Sequence, residues 1–176
     1  LLLSKLNTNE DVAFHGDIIF QLGRIVDKGR SKRKDEILAH ARRLAVSMDD
    51  DLRDRAIIVL GWIGTNAEIT LLTDRLLHDT NNKCRAWAAS SFMQMNFRLK
   101  RRGETLDFPS VYAALDKAIQ TERDYFGLGV YVTSLQEIAD KKFRLSQAAV
   151  DTVDVEKIEK AKKSAINFLV KAIGGL

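Results

Sequence analysis

The chain has 176 residues, 45% of them hydrophobic, with one proline, ten glycines and a net charge of +4. That length can bury a core without metals or crosslinks, and so little turn punctuation excludes an all-β fold of short strands. The mildly basic balance favours anionic partners weakly and falls short of a dedicated nucleic-acid domain. No apolar run reaches the ~18 residues of a membrane span, and Leu1 to Leu3 is too short for a signal-peptide core, so a soluble chain without a membrane partner is expected. The one cysteine, Cys84, lies among small and apolar residues. That suits a buried thiol in a reducing compartment, and a cytoplasmic location is the expectation. Opening on Leu1 rather than methionine suggests a processed product or a piece of something longer.

From about Asp11 to Val26, Phe14, Ile18, Leu22 and Ile25 fall on one face of a helix. Asn9 is its expected N-cap, Glu10 and Asp11 suit its start, and Gly29 stops it. Beyond the connector Lys28 to Lys34, Ile37, Leu38, Ala41, Leu44 and Ala45 mark a second helix, and the two make a hairpin. The layout returns with Leu52, Ala56, Leu60 and Ile63, then Gly64-Thr65-Asn66, then Ile69, Leu72 and Leu76. It appears again as Cys84, Ala88, Phe92 and Met95, followed by a connector from Arg101 to Asp107. A helix then opens at Pro109 with Val111, Ala114, Leu115 and Ala118 on its apolar side. A fourth unit starts with Gly127, Tyr131, Leu135 and Ile138. It passes through a polar stretch into a long helix from about Val153 to Ile173, whose lysines Lys157, Lys160, Lys162 and Lys163 oppose Ile158, Ala161, Ile166 and Leu169. A terminal cap with a polar outer face is expected there.

Shared identities strengthen the repeat. Leu22-Gly23-x-Ile25 matches Leu60-Gly61-x-Ile63, and Leu52-Arg53-x-x-Ala56 matches Cys84-Arg85-x-x-Ala88, at intervals suited to helix-pair repeats. Asp50-Asp51-Leu52-Arg53-Asp54-Arg55-Ala56 running into Leu60-Gly61-Trp62-Ile63-Gly64 resembles the HEAT repeat, particularly its short bilin-lyase-like variety, and Asp79 to Phe92 is a looser copy. The resemblance spans about Met48 to Met95. It implies a single all-α domain over residues 1–176, an armadillo-like, right-handed α-solenoid (α-α superhelix) of about four HEAT-like hairpins. Its second helices would line a concave face used for protein binding. Stacking is also what the physics asks for, because one hairpin cannot cover all of its own apolar faces.

No catalytic arrangement emerges. His15, His40 and His78 lie on different helices and read as surface or helix-end residues, and nothing stands at metal-ligand spacing. Gly127-Leu128-Gly129 lacks the strand and third glycine of a dinucleotide loop and reads as a site of close helix packing. Asp49, Asp50, Asp51 and Asp54 read as helix-start acids rather than a cation loop. No cofactor is expected.

Charge sorts by connector. Within the first, third and fourth units it is basic: Lys28, Arg30, Lys32, Arg33 and Lys34; then Arg98, Lys100, Arg101 and Arg102; then Lys141, Lys142 and Arg144; the second connector, Gly64 to Asn66, is neutral. The starts of first helices are acidic, with Glu10, Asp11, Asp49 to Asp51, Asp54, Glu122 and Asp124. Opposite edges of the stack should therefore carry opposite charge. Helix dipoles alone generate such polarity, but the density of bases also makes the edge a candidate surface for nucleic acid or another polyanion. Trp62 and Trp87 occupy first-helix positions that are mainly polar in the other units, seven apart in register and so on one face. They are candidate protein-interface anchors, or they fill a gap between units. The reading is a non-catalytic scaffold that binds another protein, with a polyanion binder as the alternative. The resemblance also brings in enzymes, bilin lyases and base glycosylases that use tryptophan, aspartate and arginine on the concave face. Trp62 and Trp87 fall on first helices, off that face. Oligomeric state stays open.

Overall fold

The computed structural model describes residues 2–6, 12–29 and 32–175, the side chains of 12 and 13 excepted. Every regular element among the described residues is helical: α1 (Leu2–Lys5), α2 (Val12–Asp27), α3 (Lys34–Leu44), α4 (Asp50–Ile63), a 3-10 turn at Asn66–Glu68, α5 (Ile69–His78), α6 (Asn82–Arg101), α7 (Phe108–Thr121), α8 (Tyr125–Ala139), α9 (Gln147–Asp151) and α10 (Val155–Gly174). No strand occurs among the described residues, and none of their helices is long and apolar enough to cross a membrane.

Whereas α3 starts after Arg33 without a side-chain cap, from α4 onward the helices begin where a short polar side chain can take their free amides. Asp49, Asn81, Asp107, Asp124, Ser146 and Asp154 cap α4, α6, α7, α8, α9 and α10 in this way. Thr65 and Glu68 form a capping box ahead of α5. The expected cap Asn9, with Glu10 and Asp11, lies outside the described residues. Two connectors turn on left-handed glycines, Gly29 at φ 68° and Gly103 at φ 71°, a conformation that costs glycine little.

The first helices α2, α4, α6 and α8 pack side by side in one layer, while α5, α7 and α10 neighbour one another in a second. This is the two-layered α-solenoid expected from the repeat. The main contacts of α3, α5 and α7 include the first helix of the following unit, α4, α6 and α8 respectively. Close antiparallel partners are therefore joined by the short acidic turns at Asp49, Asp79 to Asn81 and Glu122 to Asp124. The repeated glycines explain how tightly the first layer stacks. A Cβ on Gly23 would stand 2.7 Å from Val59 Cγ2, and one on Gly61 would stand 2.8 Å from the Ser91 Cα.

One hydrophobic cluster runs from Leu3 to Leu169. At its far end α10 lies on both α7 and α8. It buries Ile158, Ala161, Ala165 and Leu169, and Phe168 meets Tyr112 edge-on at 5.7 Å. Ile166, expected on the buried stripe, is only partly buried beside it. The polar stretch before α10 contains α9, whose Val150 packs over Gly129, 3.0 Å from where a Cβ would be. Tyr131 occupies the small-residue position of the fourth unit. It is fully buried, and its hydroxyl donates to Glu122 Oε2 at 2.6 Å.

Candidate interaction surfaces

The repeated arginines at the starts of α4 and α6 are structural. Arg53 is buried; its Nε and Nη2 donate to the two carboxylate oxygens of Asp79 at 2.9 and 2.8 Å, and its Nη1 to the Ser47 and Met48 carbonyls at 2.9 and 3.1 Å. Arg85 repeats the arrangement one unit on, with Nε and Nη2 donating to Glu122 at 2.8 and 3.1 Å. Each arginine thus binds the end of the preceding second helix to the start of the next first helix. Burial alone would raise the Glu122 carboxyl, but hydrogen bonds from Arg85 and Tyr131 outweigh it and hold the group down at about 2. Glu122 was expected among the acids of an exposed edge. It is instead an internal ion-pair partner, because Arg85 draws it inward.

At the equivalent position of the first unit stands His15, expected on the surface or at a helix end. It lies in the first turn of α2 yet is buried, and its Nε2 has no hydrogen-bond partner among the described residues. His40 and His78 are half-buried and exposed, respectively. The buried thiol of Cys84 is pushed up to about 12 by desolvation, with the Asp79 carboxylate adding to it, so it is not a nucleophile at neutral pH. Among the acids proposed to start α4, Asp49 caps the helix and Asp50 accepts from Arg53 and Asn81 at 2.6 and 2.7 Å. Among the described residues no three histidines, cysteines or carboxylates gather as a metal site.

The basic connectors are only partly brought together. Lys34 and the end of α6, with Arg98, Arg101 and Arg102, converge on a cleft of about 270 Å3. Val26 and Asp27 of α2, Gly29, and Trp62 and Ile63 of α4 complete it. Lys28, Lys32 and Lys100 are exposed outside this lining, Arg33 is paired with Glu36 at 2.8 Å, and Arg30 lies outside the described residues. Lys141 is exposed, while Lys142 and Arg144 share a different recess with Lys157 and Lys160 of α10. Arg98 corrects the picture of an exposed basic edge. It faces inward from α6 and is 9% exposed, since its position in α6 falls beside buried Leu99 and Met95 on the packed side.

The two tryptophans line different recesses. Trp62 is half-buried and packs on Phe20 with ring centres 4.8 Å apart. Trp87 is 41% exposed and lines a separate groove of about 420 Å3 between α6 and α8. Phe126, 37% exposed, Met93 and Val130 share that groove. Sequence reasoning missed Met93 and Phe126. The signal was there for Met93, which holds in α6 the register position that Gly23 and Gly61 hold in α2 and α4. Where glycine lets neighbouring first helices close up, a methionine side chain keeps a groove open.

A family model of HEAT repeats matches residues 1–93. No curated protein and no solved structure gives a significant match.

Proposed function

The chain belongs to the HEAT-repeat family, and from that premise we propose that it is a non-catalytic interaction module whose guest is another protein, held in the groove between α6 and α8. The observation that carries this is the pairing of exposed Trp87 with exposed Phe126 over partly buried Met93 and Val130. Large aromatics left open to water beside a concave apolar floor are the usual anchors of protein interfaces. Gln136, Glu137, Gln147 and Asp151 give the groove a polar rim, as such interfaces have. An extended polyanion fits less well, because the basic connectors divide between two recesses instead of lining one track.

Affinity purification from nuclease-treated extract, with the wild type beside W87A and F126A, tests the proposal. A protein recovered with the wild type and weakened by ~2 kcal/mol or more in W87A is the expected result. An identical set of partners in all three, or loss of every partner on nuclease treatment, overturns it.

A further inference from the structure

A guanidinium buried without a counter-ion is costly, because it loses water and gains no compensating charge. Arg98 is in that state. It is 9% exposed, and its Nε and Nη2 have no hydrogen-bond partner among the described residues. Those two atoms form the edge of a guanidinium that grips an oxyanion through two parallel bonds. The same edge of Arg53 holds Asp79, and that of Arg85 holds Glu122. In Arg98 it is unfilled and covered, and because the residue lines an open cleft, a turn of its side chain would bring that edge to a ligand there.

The nearby acids do not supply the partner. Asp27, Glu68 and Glu104 act on Arg98 through their charge, yet none hydrogen-bonds it. Glu68 is held by Arg42 and Thr65, and Glu104 stands 3.8 Å from Arg102. The attraction of helix C-termini for cations accounts for exposed Arg101. It does not account for a guanidinium withdrawn from water.

Charge selects among oxyanions. Lys34, Arg98, Arg101 and Arg102 line the cleft against a single carboxylate, Asp27. Partial burial, and then the charges of Arg98 and Arg102, push the Lys34 amine below its ordinary value, as expected where positive charge lacks compensation. A carboxylate would leave most of that excess in place, whereas a phosphate monoester, at about −1.5 to −2, would cancel much of it. Trp62, Val26 and Ile63 give the same cleft an apolar wall. We propose that the cleft between the C-terminal ends of α2, α4 and α6 binds a phosphate monoester, with Arg98 gripping the phosphate side-on, Lys34 and Arg102 flanking it, and Trp62 covering the group that carries it. The site shares no lining residue with the α6–α8 groove and does not depend on what binds there.

The test uses the full chain carrying W87F, which leaves Trp62 as the one remaining tryptophan. Inorganic phosphate, adenosine monophosphate and phosphotyrosine amide are titrated at low salt while Trp62 emission and the thermal midpoint are followed. Saturable emission changes and a rise in midpoint are expected. R98L should weaken binding about tenfold or more, the loss of a charge-assisted pair of hydrogen bonds, while its ligand-free midpoint stays level or rises. K34M, at a half-buried surface position, should weaken binding severalfold and keeps the test valid if R98L folds poorly. Tighter binding of the nucleotide than of phosphate assigns a nucleotide as the source, and tighter binding of phosphotyrosine assigns a modified side chain. No saturable response to any of the three, or responses unchanged in both R98L and K34M, overturns the proposal.

Discussion

Carboxylates fill the Nε–Nη2 edge of the guanidinium in Arg53 and Arg85, and among the described residues nothing fills it in Arg98. The filled pairs make stability depend on acid. Glu122 is 7% exposed in its side chain and is held at about 2 against an ordinary 4.5. A carboxyl whose folded value is depressed contributes stability above its unfolded value and loses it as pH falls toward the folded one. The Glu122 contribution should therefore be complete above about pH 4.5 and fade between there and about pH 2, by roughly 3 kcal/mol in all. Urea midpoints measured from pH 7 to pH 3 should fall more steeply for the wild type than for E122Q. Equal slopes would mean that the Arg85 pair does not govern this range. Asp79, shifted down by Arg53 against the effect of its burial, adds to the same acid lability.

At the scale of elements, the spacing of the first helices rests on what stands at one register position. Gly61 lets α4 approach the backbone of α6 at Ser91, whose hydroxyl donates to the Ile57 carbonyl at 2.9 Å. A methyl group there meets backbone that cannot swing aside, so G61A should cost ~1–3 kcal/mol as overpacking. G174A is the control, because nothing lies within 4 Å of a Cβ at that helix end. Chemical denaturation of the two variants reads the difference, and a G61A midpoint matching the wild type would show that the helices separate without penalty. Met93 extends the logic to α6, where the absence of glycine leaves the groove that Trp87 and Phe126 line. The same repeat that made the units recognisable thus also locates the groove, at the unit where the pattern breaks.

For the whole molecule, α10 closes the stack by covering α7 and α8 at once. Truncation after Asp154 should uncover Tyr112 and Phe143, which both meet Phe168, and leave a unit without its neighbour. The expected outcome is a lower thermal midpoint with increased binding of a hydrophobic dye; an unchanged midpoint would make α10 an appendage. The long helices, their order and their apolar faces were legible in the sequence because periodicity and capping act over three to seven residues, whereas the short α1 and α9 offer too few residues for a period to show. The bond made by Tyr131, the inward turn of Glu122 and the burial of Arg98 were not, since each depends on a partner or a gap set by a different helix. The parting of Trp62 from Trp87 has the same cause. Two side chains share a register face by sequence alone, but whether they share a surface depends on how far apart the packed helices hold them. The sequence by itself determined a stack of helices with charged ends, and only the tertiary structure decided which charges are paired inside it and which, like Arg98, are buried without a hydrogen-bond partner among the described residues, because pairing is a property of distance across helices and not of position along one.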